Sequence, residues 1–130
     1  MLRADYCIPP LDLGMTALLE DLHDRGMLDE TLVIAFGEMG RTPKINPAQG
    51  RDHWGSAQSV LLAGGGIRGG QVYGATDKHA AFVKDNPVRP EDLLATVYHA
   101  MGIAPESEIH DRERRPYAVT EGRAVAGLFG

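Results

Sequence analysis

The stretch Thr31-Leu32-Val33-Ile34-Ala35-Phe36, followed by Gly37-Glu38-Met39-Gly40-Arg41-Thr42-Pro43, decides how the rest of the chain is read. Its first half is a continuous β-rich apolar run, which suits a strand covered on both faces in a mainly parallel sheet. At Gly37 the composition changes. From there to Gly55 the chain is polar, with Asn46, Pro43, Pro47 and four glycines. An excursion of that length at the end of a strand is usually functional.

Outward from this point, Gln58-Ser59-Val60-Leu61-Leu62-Ala63 predicts a second buried strand, which stops at Gly64-Gly65-Gly66. On the N-terminal side, Leu11, Met15, Leu18, Leu19 and Leu22 recur at offsets of 4, 7, 8 and 11, one face of a helix over residues 11–25. Pro9-Pro10 closes an irregular start, and Gly26 suits the left-handed position that ends a helix. Leu28-Asp29-Glu30 then makes a short turn into the first strand.

On the C-terminal side, Gln71 to Gly74 reads as a short edge strand and residues 75–87 as loop, with Phe82 as an apolar anchor. Pro90 at a first helical position, Glu91 and Asp92 in the first turn, and Gly102 past the end bracket a second helix. Its expected buried face is Leu93, Leu94, Val97, Tyr98 and Met101. Beyond it, Tyr117-Ala118-Val119 and Ala124-Val125 around Gly122 suggest a terminal ribbon.

Composition narrows the function classes. In 130 residues, 43% apolar and 24% charged content are ordinary for a globular chain, so neither a disordered nor a fibrous class is favoured. A formal net charge of -5 with no basic stripe excludes the electrostatic footprint of nucleic-acid binding. A lone cysteine, Cys7, can form neither an internal disulfide nor a thiolate metal site. No apolar run approaches the roughly 20 residues of a membrane span. Met1 to Pro10 carries Arg3 and Asp5 and no signal h-region, so no export signal is expected in this chain.

In open parallel sheets ligands bind beyond the carboxyl ends of strands, and Glu38 lies just past Phe36. The same excursion carries Arg41, Arg51, Asp52 and His53. Carboxylate and imidazole are donors for borderline divalent ions, and guanidinium forks match phosphate or sulfate oxygens. The set suits a metal-assisted anion site: Glu38, Asp52 and His53 for metal, Arg41 and Arg51 for substrate. The structural alternatives are a capping carboxylate at Glu38 and a loop hydrogen-bond pair at Asp52-His53, held by Trp54.

Other patterns carry less. Gly64, Gly66 and Gly69 meet the G-x-G-x-x-G spacing, but the residues that follow are poor helix formers, so a structural turn is expected in place of a dinucleotide site. No Gly-x-Ser-x-Gly elbow is present. His23, His79, His99 and His110 have ordinary packing or loop settings.

Taken in order, the blocks Gly26-Met27-Leu28-Asp29-Glu30-Thr31-Leu32-Val33-Ile34, Gly37 to Pro43, Gly50-Arg51-Asp52-His53-Trp54, Leu61 to Ile67 and Tyr98 to Ile103 resemble the family called domain of unknown function 1501. That family looks like a branch of the alkaline-phosphatase and sulfatase superfamily. The resemblance implies an α/β fold, part of an alkaline-phosphatase-like mainly parallel sheet flanked by helices. It implies that residues 1–130 are one partial domain, its C-terminal half, with the N-terminal half absent and with it the nucleophile and a further Asp/His metal motif. At the metal motif this sequence reads Glu38-Met39-Gly40 where the superfamily has Asp-His-Gly, so Met39 replaces an imidazole, while His53 matches a later metal histidine.

The implied chemistry is hydrolysis of phosphate or sulfate esters by a divalent metal of the zinc, calcium or magnesium class, with an anionic small-molecule ester as partner. This chain alone is expected not to assemble a competent site. The alternative is a non-catalytic binding or assembly module that keeps the sheet as scaffold. Uncovered strand edges predict marginal stability, self-association, or a partner that supplies missing strands. Members of the resembled family are commonly exported.

Overall fold

The computed structural model describes residues 4–130. In chain order the elements are helix α1 (Ala4–Asp24), a 3-10 turn (Leu28–Glu30), and strands β1 (Val33–Phe36), β2 (Gly40–Arg41), β3 (His53–Trp54), β4 (Val60–Ala63), β5 (Ala75–Thr76) and β6 (Val83–Asp85). Helix α2 (Pro90–Ala100), strands β7 (Glu108–His110) and β8 (Pro116–Ala118), and a 3-10 turn (Ala126–Leu128) complete the chain.

The strands pair as four separate two-stranded sheets, β1 with β4, β2 with β3, β5 with β6 and β7 with β8, all antiparallel. This overturns the expected α/β fold with a mainly parallel sheet flanked by helices. The reason lies in the connection. A parallel return needs a crossover, usually a helix. Residues 37–59 instead fold back on themselves as the β2–β3 hairpin, so β4 comes back reversed, with Val33 opposite Ala63 and Phe36 opposite Val60. Nor is the pair covered on both faces: Phe36 is 63% exposed and Leu61 45%.

Helix α1 runs through Pro9 and Pro10, where the sequence predicts an irregular start. Each proline removes one helix hydrogen bond and presses on the preceding turn. Only about a turn and a half of helix precedes them, and residues 6–14 are exposed, so little packing is strained. The helix ends at Gly26 as expected, with φ +68. The Gly26 N–H donates to the His23 carbonyl at 2.9 Å and that of Met27 to Leu22 at 2.8 Å, the paired bonds of a Schellman closure. Its main neighbour is the 3-10 turn at Leu28–Glu30. Leu22 is buried at 9%, whereas Leu11 and Leu18 of the same stripe are 63% and 46% exposed.

Helix α2 starts and stops where the sequence places it. The Arg89 N–H donates to the Asp92 carboxylate at 3.1 Å, and Gly102 closes the other end at φ +74. Its buried face differs from the expected one: Ala95 and Thr96 are buried, while Leu94 and Met101 are 42% and 64% exposed. The covering segment is 120–125. The Thr120 hydroxyl donates to the Glu91 carbonyl, the Arg123 N–H to Asp92, and the Val125 N–H to the Thr96 hydroxyl at 3.0 Å. Gly122 lies so close that an added Cβ would stand 1.9 Å from the Glu91 oxygen.

Three smaller expectations also change. Gln71 to Gly74 is not a strand; Gln71 donates to the Leu128 carbonyl at 2.9 Å, which ties this segment to the C-terminal turn. The stretch 75–87 holds the β5–β6 hairpin. Tyr117 and Ala118 pair with β7, not with residues near Gly122. Gly64, Gly65 and Gly66 all take positive φ and open no helix, as a structural turn should.

The chain exposes 10061 Å². For 14.1 kDa a compact monomer exposes about 6,700 Å², so this fold removes about half of the unfolded chain's surface from water where about two-thirds is usual.

Candidate functional site

The polar excursion is organised by the two-residue hairpin β2–β3. Register sets Arg41 opposite His53 and Gly40 opposite Trp54, so residues twelve and fourteen apart in sequence become neighbours across the ladder. Glu38, just before β2, reaches the same place. Its Oε1 lies 3.1 Å from His53 Nε2 and 3.6 Å from Arg41 Nη2. All three side chains are exposed, between 50% and 68%.

Gly40 permits this closeness to β4. A Cβ there would stand 1.7 Å from the Ala57 carbonyl oxygen, so only glycine lets the hairpin lie against the entry to that strand. On the far side, Trp54 Nε1 donates to the Ala81 carbonyl at 2.6 Å and its ring meets Phe82 edge-on at 5.7 Å. Phe82 is thus the anchor expected of it, although its ring stays 56% exposed. The contact is with the one tryptophan of the chain.

Two of the five sequence candidates have other work. Arg51 Nη1 donates to the Thr42 and Pro43 carbonyls, at 2.6 and 2.5 Å. Asp52 accepts from Asn46 Nδ2 at 2.8 Å, and its N–H donates to the Thr42 hydroxyl. Asn46 also accepts from the Gly50 N–H. These bonds tie the hairpin's loop into a closed ring. Arg51 and Asp52 therefore hold the loop's shape, while Glu38, Arg41 and His53 face one another.

A cavity of about 330 Å³ opens beside this cluster, lined by Met39, Gly40, Arg41, Gln58, Ser59 and Thr76 among others. Arg41 is shared between cavity and cluster. Gln58, Ser59 and Thr76 were not singled out from the sequence. Gln58 and Ser59 read as the start of a strand that in fact begins at Val60, and Thr76 comes from a hairpin that local pattern did not announce.

The donor set fits a metal ion only in part. Two ligands of one tetrahedral zinc stand about 3.3 Å apart, close to the 3.1 Å between Glu38 and His53. A zinc site takes three or four protein ligands. Among the described residues no group of three or more His, Cys, Asp or Glu could hold an ion. A complete metal centre is not present in this arrangement. No helix among the described residues is long and apolar enough to cross a membrane.

Fold and loop together define a class: a mixed helix and antiparallel-strand chain in which Glu38, Arg41 and His53 meet at one short hairpin. Within it, the chain belongs to the protein family of unknown function DUF1501, whose sequence model matches residues 3–129. Searches of curated proteins and of solved structures returned no match.

Proposed function

We propose that Glu38, His53 and Arg41 form one side of a site for a phosphate or sulfate ester. In this reading the chain is a member of a sulfatase-like and phosphatase-like hydrolase group, and Glu38 and His53 offer two corners of a divalent ion's coordination. Arg41 faces the anion from the cavity rim. The observation that carries the reading is the 3.1 Å approach of His53 Nε2 to Glu38 Oε1, with Arg41 fixed beside them by register. A carboxylate, an imidazole and a guanidinium at one point match a metal-bound oxyanion.

The chain by itself is expected to bind without turnover, because the remaining ligands and a nucleophile must come from elsewhere. Zinc binding measured by calorimetry should weaken at least tenfold in His53→Ala, while Lys84→Ala, exposed on β6, should retain zinc affinity. Equal zinc binding by wild type and His53→Ala would sink the assignment.

The second reading is a non-catalytic binding module, and Met39 favours it, since a thioether at that position is a poor ligand for hard or borderline ions. The two part on one measurement. Sulfate binding that strengthens with added zinc and weakens in His53→Ala supports the hydrolase reading; sulfate binding lost in Arg41→Ala but indifferent to zinc supports the module.

A further inference from the structure

We infer that the cavity between the start of α2 and residues 121–126 binds an α-amino acid with an apolar side chain, its ammonium at Glu121 and its carboxylate at Arg123. The cavity measures about 440 Å³, within the range of about 300–1,000 Å³ usual for small-molecule sites. Two guanidinium groups and two carboxylates line it, those of Arg89, Arg123, Asp92 and Glu121. Arg89 and Asp92 are spent on each other and on the helix start. The Arg89 guanidinium stands 3.3 Å from Asp92 and 3.1 Å from Glu91, and Asp92 also accepts from the Arg89 and Arg123 N–H groups. Among the described residues the side chains of Glu121 and Arg123 make no hydrogen bond or ion pair, not even with one another. One free carboxylate and one free guanidinium therefore share the cavity.

The main chain that carries these two groups is held in place. Gly122, between them, is buried against α2, and the bonds of Thr120 to Glu91, of the Arg123 N–H to Asp92 and of the Val125 N–H to Thr96 pin the segment there. Next to Arg123, the N–H of the half-buried Ala124 has no acceptor among the described residues, although the great majority of such groups have one. A ligand carboxylate is an acceptor for that N–H and for the Arg123 fork. The balance of charge then selects the ligand class. A simple anion drawn to Arg123 meets Glu121 in the same cavity, and a simple cation drawn to Glu121 meets Arg123. A molecule with both charges a few bonds apart answers both. The remaining lining, Pro87, Ala124, Val125, Ala126 and the ring of Tyr73, is largely apolar and suits an aliphatic side chain beside the two charges. This inference stands apart from the ester-site reading, since the two cavities share no residue.

Backbone amide NMR of the full chain, titrated with L-leucine, should show saturable shifts at Arg123 to Ala126. N-acetyl-leucine, which lacks the ammonium, and leucinamide, which lacks the carboxylate, should each bind roughly tenfold more weakly, the loss of one hydrogen bond to a charged group. Glu121→Gln should bind leucine and N-acetyl-leucine alike, and Arg123→Gln should bind leucine and leucinamide alike. Neither side chain holds another part of the molecule, so helix content and Tm should stay at wild-type values in both variants. The absence of saturable shifts with leucine would overturn the proposal. So would equal binding of all three ligands to the wild type, or sulfate moving these amides where leucine does not. The three-ligand comparison needs the wild type alone, so it decides the matter even if a variant fails to fold.

Discussion

Gly122, Gly40 and Gly64 mark three places where a single methyl group would collide with the main chain of another segment. At Gly122 the obstacle is the Glu91 carbonyl on the first turn of α2, reached at 1.9 Å by an added Cβ. Gly122→Ala must therefore push residues 120–125 off the helix and loosen the bonds that Thr96 and Asp92 make to them. We expect a loss of roughly 1–3 kcal/mol, seen as a lower Tm in thermal unfolding. An unchanged Tm would show that the segment shifts freely. What sequence reading gained at this scale was chemical type: Glu38, His53 and Arg41 were picked out and do meet. What it lacked was the partner of each polar group. Nothing in the residue string says that Arg51 spends its guanidinium on two carbonyls of its own loop, or that Asp52 faces Asn46.

Helix α2 owes its start to Asp92. The carboxyl sits below its ordinary 3.8, first because the Arg123 N–H donates to it and then through the Arg89 N–H and the Arg89 guanidinium. A depressed carboxylate contributes stability in full above its unfolded value and loses that contribution as pH falls through the lower folded value. Asp77 and Asp111 are lowered in the same sense, chiefly by the N–H groups of Ala81 and Arg115. Below pH 3.8 the wild type should thus lose Tm with each step of acid, and Asp92→Asn should show a shallower slope over that range. Parallel slopes would remove Asp92 from the account. Helices were the legible elements, because Pro90, Gly26 and Gly102 act through local backbone geometry. Strand direction was not legible. Whether β4 runs with or against β1 depends on what residues 37–59 do between them, and apolar content alone is the same in both cases. The buried face of α2 was hidden for a similar reason, being chosen by a segment some thirty residues later.

For the molecule as a whole, the small buried area sets how it responds to denaturant. The urea m-value scales with surface exposed on unfolding. In the isolated chain it should fall about a quarter below that of a compact domain of equal length. An ordinary m-value would mean that the isolated chain closes up further in solution. The family was legible in the ordered motifs. The sheet implied by that resemblance was not realised, since four separate two-stranded pairs, three of them hairpins, replace it. Two of those hairpins meet through one indole, whose Nε1 reaches the Ala81 carbonyl beside β6 while its backbone lies in β3. Because that indole is the chain's only tryptophan and its neighbour in sequence is His53, ultraviolet-excited emission comes from a single chromophore at the edge of the candidate site. Its colour and intensity follow the docking of one hairpin on the other, so the molecule carries its own optical gauge of whatever settles against Glu38 and His53.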